Sequence, residues 1–500
     1  MGQTDLRLVR NTCVVILGLL VLRLLAAAWT PLTFDEAYYW IWSKHLAPGY
    51  YDHPPMVALV IRAGTLIAGD TELGVRLVSI LLALPMSFAV FRSAELLFGD
   101  VRVAATATIL LNVTLMTSVG TTIITPDSPL LLAASFALFF LAKLAETARG
   151  AWWLAVGAAV GFGLLSKYTA LFFGPAILIW LLVVPKQRQW LLSPWPYLGG
   201  IVALSMFAPV ILWNAEHHWV SFIKQIGRAR IENFNPTFIA ELAPIQFIFA
   251  TPLVAILGAM GLYALYMRKA GPTSARVLIE VMFWIITLYF VWHSLHARVE
   301  ANWFAPVYPA FAIAAAVAGH LVPWETRARR ICDFSLRWAS PLAITMFVLL
   351  IVQANTGVLT GYRRDPTVRS VGVGWRTLAA QIEAERVRRG ATCVLAPDYG
   401  TVSWLAFYLP HTTCVIQPMQ RIRWVNVGEP DATVLKGPLL FVDEVRPLQI
   451  PYLKDRFGQI QRVAELPRKR GPLVFETYAL DLLREPKGDV LDRSPPAELE

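Results

Sequence analysis

The chain has 500 residues, 56% of them hydrophobic and 16% charged, with a mean hydropathy of +0.53. Soluble chains carry about 25% charged residues, so this composition excludes a soluble enzyme. The net charge of +10 falls in short basic clusters between apolar runs, the pattern of membrane-protein loops and not of a nucleic-acid-binding face.

Apolar stretches of roughly 17–25 residues read as membrane helices. The first is 12–29, and Arg7 and Arg10 before it place the N-terminus in the cytoplasm. Ala26-Ala27-Ala28 resembles a signal-peptide cleavage site, but Arg23 inside the stretch and the many later spans oppose cleavage. Further spans are predicted at 74–98, 102–120, 129–145, 151–166, 169–184, 197–213, 247–266, 278–293, 303–322 and 339–355, eleven in all. The segment 56–69 is short, carries Arg62 and ends in Gly69-Asp70, so it reads as an interfacial or re-entrant helix. Loops predicted inside carry Arg102, Lys143, Arg149, Lys186, Arg188, Arg268, Lys269, Arg276, Arg327, Arg329, Arg330 and Arg337. That alternation holds through the bundle and leaves the C-terminus outside.

The outer loops, at 30–73, 121–128, 214–246 and 293–302, gather ionisable groups on one face. The stretch 33–55 holds Asp35, Glu36, Lys44, His45, Asp52 and His53 within a belt of Tyr38, Tyr39, Trp40, Trp42, Tyr50 and Tyr51. Charged groups at a membrane boundary are costly, which marks a functional site. Asp127, Lys167, His217, His218, Lys224, Arg228, Arg230, His293, Arg298 and Glu300 add to the same face. Residues 356–485 read as a soluble α/β domain, with a helix at 375–389, a second at 402–408, and strands at 393–396, 413–417, 439–442 and 473–477. A polar tail, 486–500, is expected to be disordered. Cys13 and Cys332 read as inert thiols. Cys393 and Cys414 fit one disulfide in an oxidising periplasm or two free thiols equally well. No zinc-type spacing is present.

Transfer of a sugar from a polyprenyl phosphate needs a base for the acceptor hydroxyl, cations for the leaving phosphate and an apolar groove. Asp35 is the candidate base, with Glu36 orienting the acceptor or a backbone amide. The competing role for this turn is helix capping by Thr33 or Asp35. Lys167, in apolar surroundings, is the phosphate candidate, against snorkelling to the headgroups. His53, Arg228 and Arg298 are further phosphate candidates. Asp52 could hold a divalent metal ion, or the Asp52-His53-Pro54-Pro55 run could be a stiff turn. No other cofactor is expected.

The segment DEAYYWIWSKHLAPGYYDHPP resembles the first outer loop of bacterial members of the dolichyl-phosphate-mannose-protein mannosyltransferase superfamily. These are membrane glycosyltransferases of the GT-C fold, and the lipid A aminoarabinose transferase is a relative. TPDSPLLL at 125–132, GLLSKYTALFF at 163–173, PVILWNAEHHWVSF at 209–222, EANWFAPVYPA at 300–310 and PDYGTVSWLAFYLP at 397–410 extend the likeness over most of the chain. The resemblance implies a polytopic α-helical GT-C membrane domain (1–355) with eleven to thirteen spans, followed by a small periplasmic α/β domain. It implies a polyprenyl-phosphate sugar donor and inversion at the anomeric carbon. It also implies Asp35 and Asp127 as catalytic carboxylates and Lys167 on phosphate. Tyr51, Glu300 and Asn302 are expected as substrate-positioning groups. At Asp52-His53 the family's aminoarabinose transferases have glutamate and a basic residue, so metal binding at Asp52 is left open. A periplasmic glycolipid, lipopolysaccharide core or lipid A, is the expected acceptor at the inner membrane. A protein or cell-wall glycan acceptor, or a flippase for lipid-linked sugar, are the other readings.

Overall fold

The computed structural model describes residues 2–228, 234–358, 365–445 and 451–494. The helices begin with α1 (Gln3–Trp29), α2 (Phe34–Lys44), α3 (Met56–Ala68), α4 (Glu72–Leu81), α5 (Ala83–Phe98), α6 (Val101–Val113) and α7 (Leu115–Thr122). Next come α8 (Asp127–Thr147), α9 (Trp152–Ser166), α10 (Phe173–Val183), α11 (Trp195–Glu216), α12 (Val220–Arg228) and α13 (Thr237–Ala250). The bundle continues with α14 (Pro252–Tyr266), α15 (Thr273–His293), α16 (Tyr308–His320) and α17 (Thr326–Thr356). After these lie α18 (Pro366–Ser370), α19 (Trp375–Arg388), α20 (Tyr399–Tyr408) and α21 (Pro451–Arg456), interleaved with five strands.

The chain divides into two compact units. The first comprises Met1–Leu25, His53–Val60 and Arg76–Val348; the second comprises Ala26–Asp52, Ile61–Val75 and Leu349–Glu500. Most of the predicted loop 30–73 therefore packs with the C-terminal part of the chain, not with the helical bundle.

Among the described residues, seven helices are long and apolar enough to cross a membrane, and three bent pairs raise the number to ten. The remaining predicted span, 151–166, is a shorter apolar helix. Helix α9 has 15 residues, about 22 Å at 1.5 Å per residue, against an apolar layer of about 30 Å. Helix α3 is short, as expected of an interfacial segment.

In the first unit the helices meet through small residues. Helix α9 packs on α8 and α11, and α14 packs on α16. A Cβ added at Gly157 would collide with the Gly199 carbonyl, and one at Gly261 with the Ala314 carbonyl. Such small-residue contacts let two backbones approach closely in lipid, where packing and not water drives association. Gly261→Ala should therefore lower the unfolding temperature of the detergent-solubilised protein, at a cost of roughly 1–3 kcal/mol. Gly174→Ala, whose new methyl group meets nothing within 4 Å, should leave that temperature unchanged or raise it slightly. Inside the bundle, Arg23 of α1 donates to the Asn112 side-chain (3.2 Å) and backbone (2.5 Å) oxygens, and Asn112 donates to Ser87 (2.8 Å). The arginine that breaks the first apolar stretch is thus a buried tie between α1, α6 and α5.

The second unit carries a five-stranded sheet of β1 (Cys393–Leu395), β2 (Cys414–Ile416), β3 (Leu439–Glu444), β4 (Phe457–Arg470) and β5 (Leu473–Pro486), in the order β2-β1-β3-β5-β4. Strand β1 runs parallel to β2 and β3, and β5 runs antiparallel to β3 and β4. Cys393 and Cys414 are register partners and form a disulfide, which resolves the two readings of this pair. Strand β4 was not expected, and β5 is longer than predicted. The tail expectation also changes: Val490 and Leu491 are buried in the core against Leu395 and Phe441, because they are apolar residues set among polar ones. Residues 495–500 of that tail lie outside the described residues.

Helix α2 is part of this unit and packs on α20. Trp404 donates to the Leu32 carbonyl (3.0 Å), the Leu32 amide donates to the Tyr408 hydroxyl (3.1 Å), and Thr33 pairs with Val371 as an isolated bridge. Phe34 meets the Tyr399 and Trp404 rings edge-on. The start of α2 is therefore held on both sides by residues more than 330 positions later.

Candidate active site

In the second unit the site is built around the start of α2. Thr33 is its N-cap: the Thr33 hydroxyl accepts from the Glu36 amide (3.2 Å), and the Glu36 carboxylate accepts from the Thr33 amide (2.9 Å). This reciprocal capping satisfies two orphan donors of the first turn. Glu36 is fully buried in that role, so of its two expected tasks, orienting the acceptor or a backbone amide, it performs the second. Asp35, one residue earlier, projects from the first turn, where the helix dipole favours a carboxylate. Tyr399, the first residue of α20, donates its hydroxyl to Asp35 Oδ1 (3.1 Å). Burial pushes the Asp35 carboxyl up to about 6. The Tyr399 hydrogen bond opposes that rise, Asp52 and Glu36 add to it, and Arg423 opposes it. Asp35 still keeps some exposure to solvent.

Asp52 is held differently. Arg423 donates from Nη1 to both its oxygens (3.0 and 2.8 Å), and the Tyr38 hydroxyl donates to Oδ2 (2.9 Å). The guanidinium lies over the rings of Tyr399 (4.7 Å) and Tyr51 (5.2 Å). Burial disfavours the Arg423 charge, but Asp52 and Tyr38 together outweigh it and hold the guanidinium above its usual range. Both Asp52 oxygens thus face a cation supplied by the protein. Among the described residues no group of three histidine, cysteine or acidic side chains could hold a metal ion. As arranged here, Asp52 does not fit a metal-ligand set, which corrects the metal expectation.

In the first unit, a cavity of about 360 Å³ is lined by His53, Lys167, Tyr168, Arg228, His293 and Trp303, with apolar walls from Leu171, Phe172 and Phe290. Lys167 caps the C-terminal end of α9 in an extended conformation, because the chain turns there into a short 3-10 segment, Tyr168–Phe172. Its Nζ lies 2.7 Å from Asp127 Oδ1, with both side chains almost fully buried. Asn302 donates to Asp127 Oδ2 (2.5 Å). Asp127 opens α8, so the helix N-terminus also supports its charge. The lysine keeps further N–H donors beyond the one used on Asp127.

Residues 52–213 match the family model described as dolichyl-phosphate-mannose-protein mannosyltransferase. Over 317 residues the chain is 28% identical to the lipid A galacturonosyltransferase RgtD of Rhizobium johnstonii, covering 61% of this chain and 65% of that protein. The chain thus spans just under two thirds of that relative's length. It is 24% identical over 230 residues to the undecaprenyl phosphate-alpha-4-amino-4-deoxy-L-arabinose arabinosyl transferase of Serratia proteamaculans, covering 44% and 41% of the two chains. The crystal structure of ArnT from Cupriavidus metallidurans bound to undecaprenyl phosphate superposes with a TM-score of 0.69 over 96% of this chain and 99% of that one. At 16% identity that likeness is one of fold. The chain has the GT-C fold.

The chain brings some of the predicted residues together and separates others. His53, Lys167 and Arg228 line one cavity. Asn302 reaches it indirectly, through Asp127. Asp127 is the partner of the lysine, and it acts on the cavity by orienting that ammonium. Arg298 is two-thirds exposed and lies 3.8 Å from Glu241, and Glu300 is exposed; neither lines the cavity, because both follow the helical end of α15 on an open turn. Tyr51 supports Arg423. Arg230 lies outside the described residues. Sequence reasoning missed Tyr38, Tyr399 and Arg423. The PDYGT stretch flagged Tyr399 only as a likeness, and nothing local marks Arg423.

Proposed function

We propose that this GT-C protein is an inverting glycosyltransferase of the bacterial inner membrane. It moves a sugar from a polyprenyl-phosphate donor to a periplasmic glycolipid, lipopolysaccharide core or lipid A. The observation that carries this reading is an unlike pair of carboxylates, Asp35 held near neutrality and Asp52 fixed by Arg423, in a protein that also holds a cation-lined cavity. The names of the two curated relatives support the lipid-linked donor and the lipid A acceptor.

In this mechanism Asp35 accepts the proton of the acceptor hydroxyl, and the hydroxyl oxygen attacks the anomeric carbon. The bond from that carbon to the phosphate oxygen breaks, and the phosphate leaves with the electron pair. Lys167, Arg228 and His53 hold the leaving group, and cations aimed at developing charge in an apolar site are worth more than in water. N-terminus in the cytoplasm, with site and C-terminal domain in the periplasm, belongs to the same proposal.

The test is mass spectrometry of cellular glycolipids with and without the gene, joined to transfer by the purified protein. A glycolipid lighter by one sugar in the deletion strain is expected; an unchanged glycolipid profile would refute the acceptor. The base also sets a pH dependence. Asp35 accepts a proton only when ionised, so the transfer rate should rise as pH passes about 6 and level off above pH 7. A rate that falls over that interval would contradict the assignment.

A further inference from the structure

We propose that Tyr399 and Arg423, both carried by the C-terminal α/β domain, are positioning residues that keep Asp35 and Asp52 unlike, one free to exchange a proton and the other permanently ionised. The inference rests on the reading of Asp35 as the base and deepens it. It begins from how differently the two carboxylates are held. Asp52 receives two hydrogen bonds from one guanidinium and a third from Tyr38. Asp35 receives one side-chain hydrogen bond among those described, from a neutral phenol. Charge-assisted contacts are the stronger kind, so the proton goes to Asp35 when one is taken up.

The two donors are themselves linked. Arg423 stacks on the Tyr399 ring, and Tyr399 packs against Tyr38 (5.0 Å between ring centroids) and Phe34 (5.9 Å). A shift of this part of the domain would therefore move both donors at once. The charged and titratable groups that act on Asp35 are Tyr399, Asp52, Glu36 and Arg423. Glu36 is tied to the helix cap and Asp52 to Arg423, which leaves the Tyr399 hydroxyl as the adjustable contact. The C-terminal domain thus takes part in catalysis through Asp35.

Reaction with dicyclohexylcarbodiimide, which requires a protonated carboxyl, reads this directly in the full-length protein without donor or acceptor. Peptide mass spectrometry would follow labelling of Asp35 and Asp52 from pH 4.5 to 8.5. In the native protein Asp35 should label at pH 5.5 and lose most of its labelling by pH 7.5, while Asp52 stays unlabelled at both. Tyr399→Phe keeps the ring packing and removes only the donor. It should raise the Asp35 midpoint by about half to one pH unit and shift the acid limb of transfer by the same amount. Arg423→Gln should make Asp52 label at pH 5.5, and Arg423→Lys should largely restore its protection. An unchanged Asp35 midpoint in Tyr399→Phe, or an unlabelled Asp52 in a folded Arg423→Gln protein, would overturn the proposal. Near-normal transfer by Asp35→Asn, with the expected labelling shifts seen in Tyr399→Phe and Arg423→Gln, would instead overturn the base assignment alone.

Discussion

Asparagine at position 35 should abolish transfer and at the same time make the protein more stable at neutral pH. General bases contribute about 10²–10⁴ in rate, so a loss of at least a hundredfold is expected for Asp35→Asn in a purified assay. The stability change follows from linkage. A carboxyl raised from 3.8 to about 6 binds its proton more tightly in the folded state than in the unfolded state. The stability it contributes is complete below pH 3.8 and is lost as pH rises through about 6. At pH 7.5 the ionised carboxylate therefore costs at most about 3 kcal/mol, and less because Asp35 is partly exposed to solvent. Asparagine removes that cost. Melting temperatures in detergent should rise at pH 7.5 relative to the native protein and stay level at pH 4. Near-normal turnover by this variant would remove Asp35 from the mechanism.

Lys167→Met is expected to be severe for a different reason. It strips a buried carboxylate of its cation, and leaving one member of a buried pair alone costs about 3–5 kcal/mol. The single variant should therefore be poorly folded. The double variant Lys167→Met/Asp127→Asn removes both charges and keeps Asn302 within reach of position 127. Its unfolding temperature should recover most of the loss, a non-additivity that reports the pair directly. Transfer should not recover, because the cavity then lacks the ammonium proposed to face the leaving phosphate. If the double variant regained activity as well as stability, Lys167 would be a packing residue and no more.

Much of this was legible in the chain because hydropathy is local. The spans, the basic inner loops and the concentration of ionisable groups at 33–55 depend on neighbours a few residues apart. Thr33-Phe34-Asp35-Glu36 spells a capping box, so the capping role in that turn falls to Thr33 and Glu36 and not to Asp35. Long-range pairing is another matter. Asp127 and Lys167 each stood out, but nothing within 40 residues says that one neutralises the other. Tyr399 and Arg423 act on carboxylates 364 and 371 positions earlier, and an arginine in a polar domain carries no mark of such a task. Strand β4 was hidden for a simpler reason. Much of it is exposed, with Gln459, Gln461 and Arg462 among its residues, so it lacks the apolar alternation by which strands announce themselves.

The capping box has a consequence for inheritance. Successive residues of a helix point about 100° apart, so the direction of Asp35 depends on where α2 begins. Thr33 and Glu36 settle that starting point, and the group they aim lies between them in the chain. The proposed base and the device that aims it therefore occupy four consecutive codons. Recombination cannot easily part them, and an insertion that disturbs one misdirects the other. A lineage could change the sugar or the lipid by altering distant walls while passing on this short cassette whole.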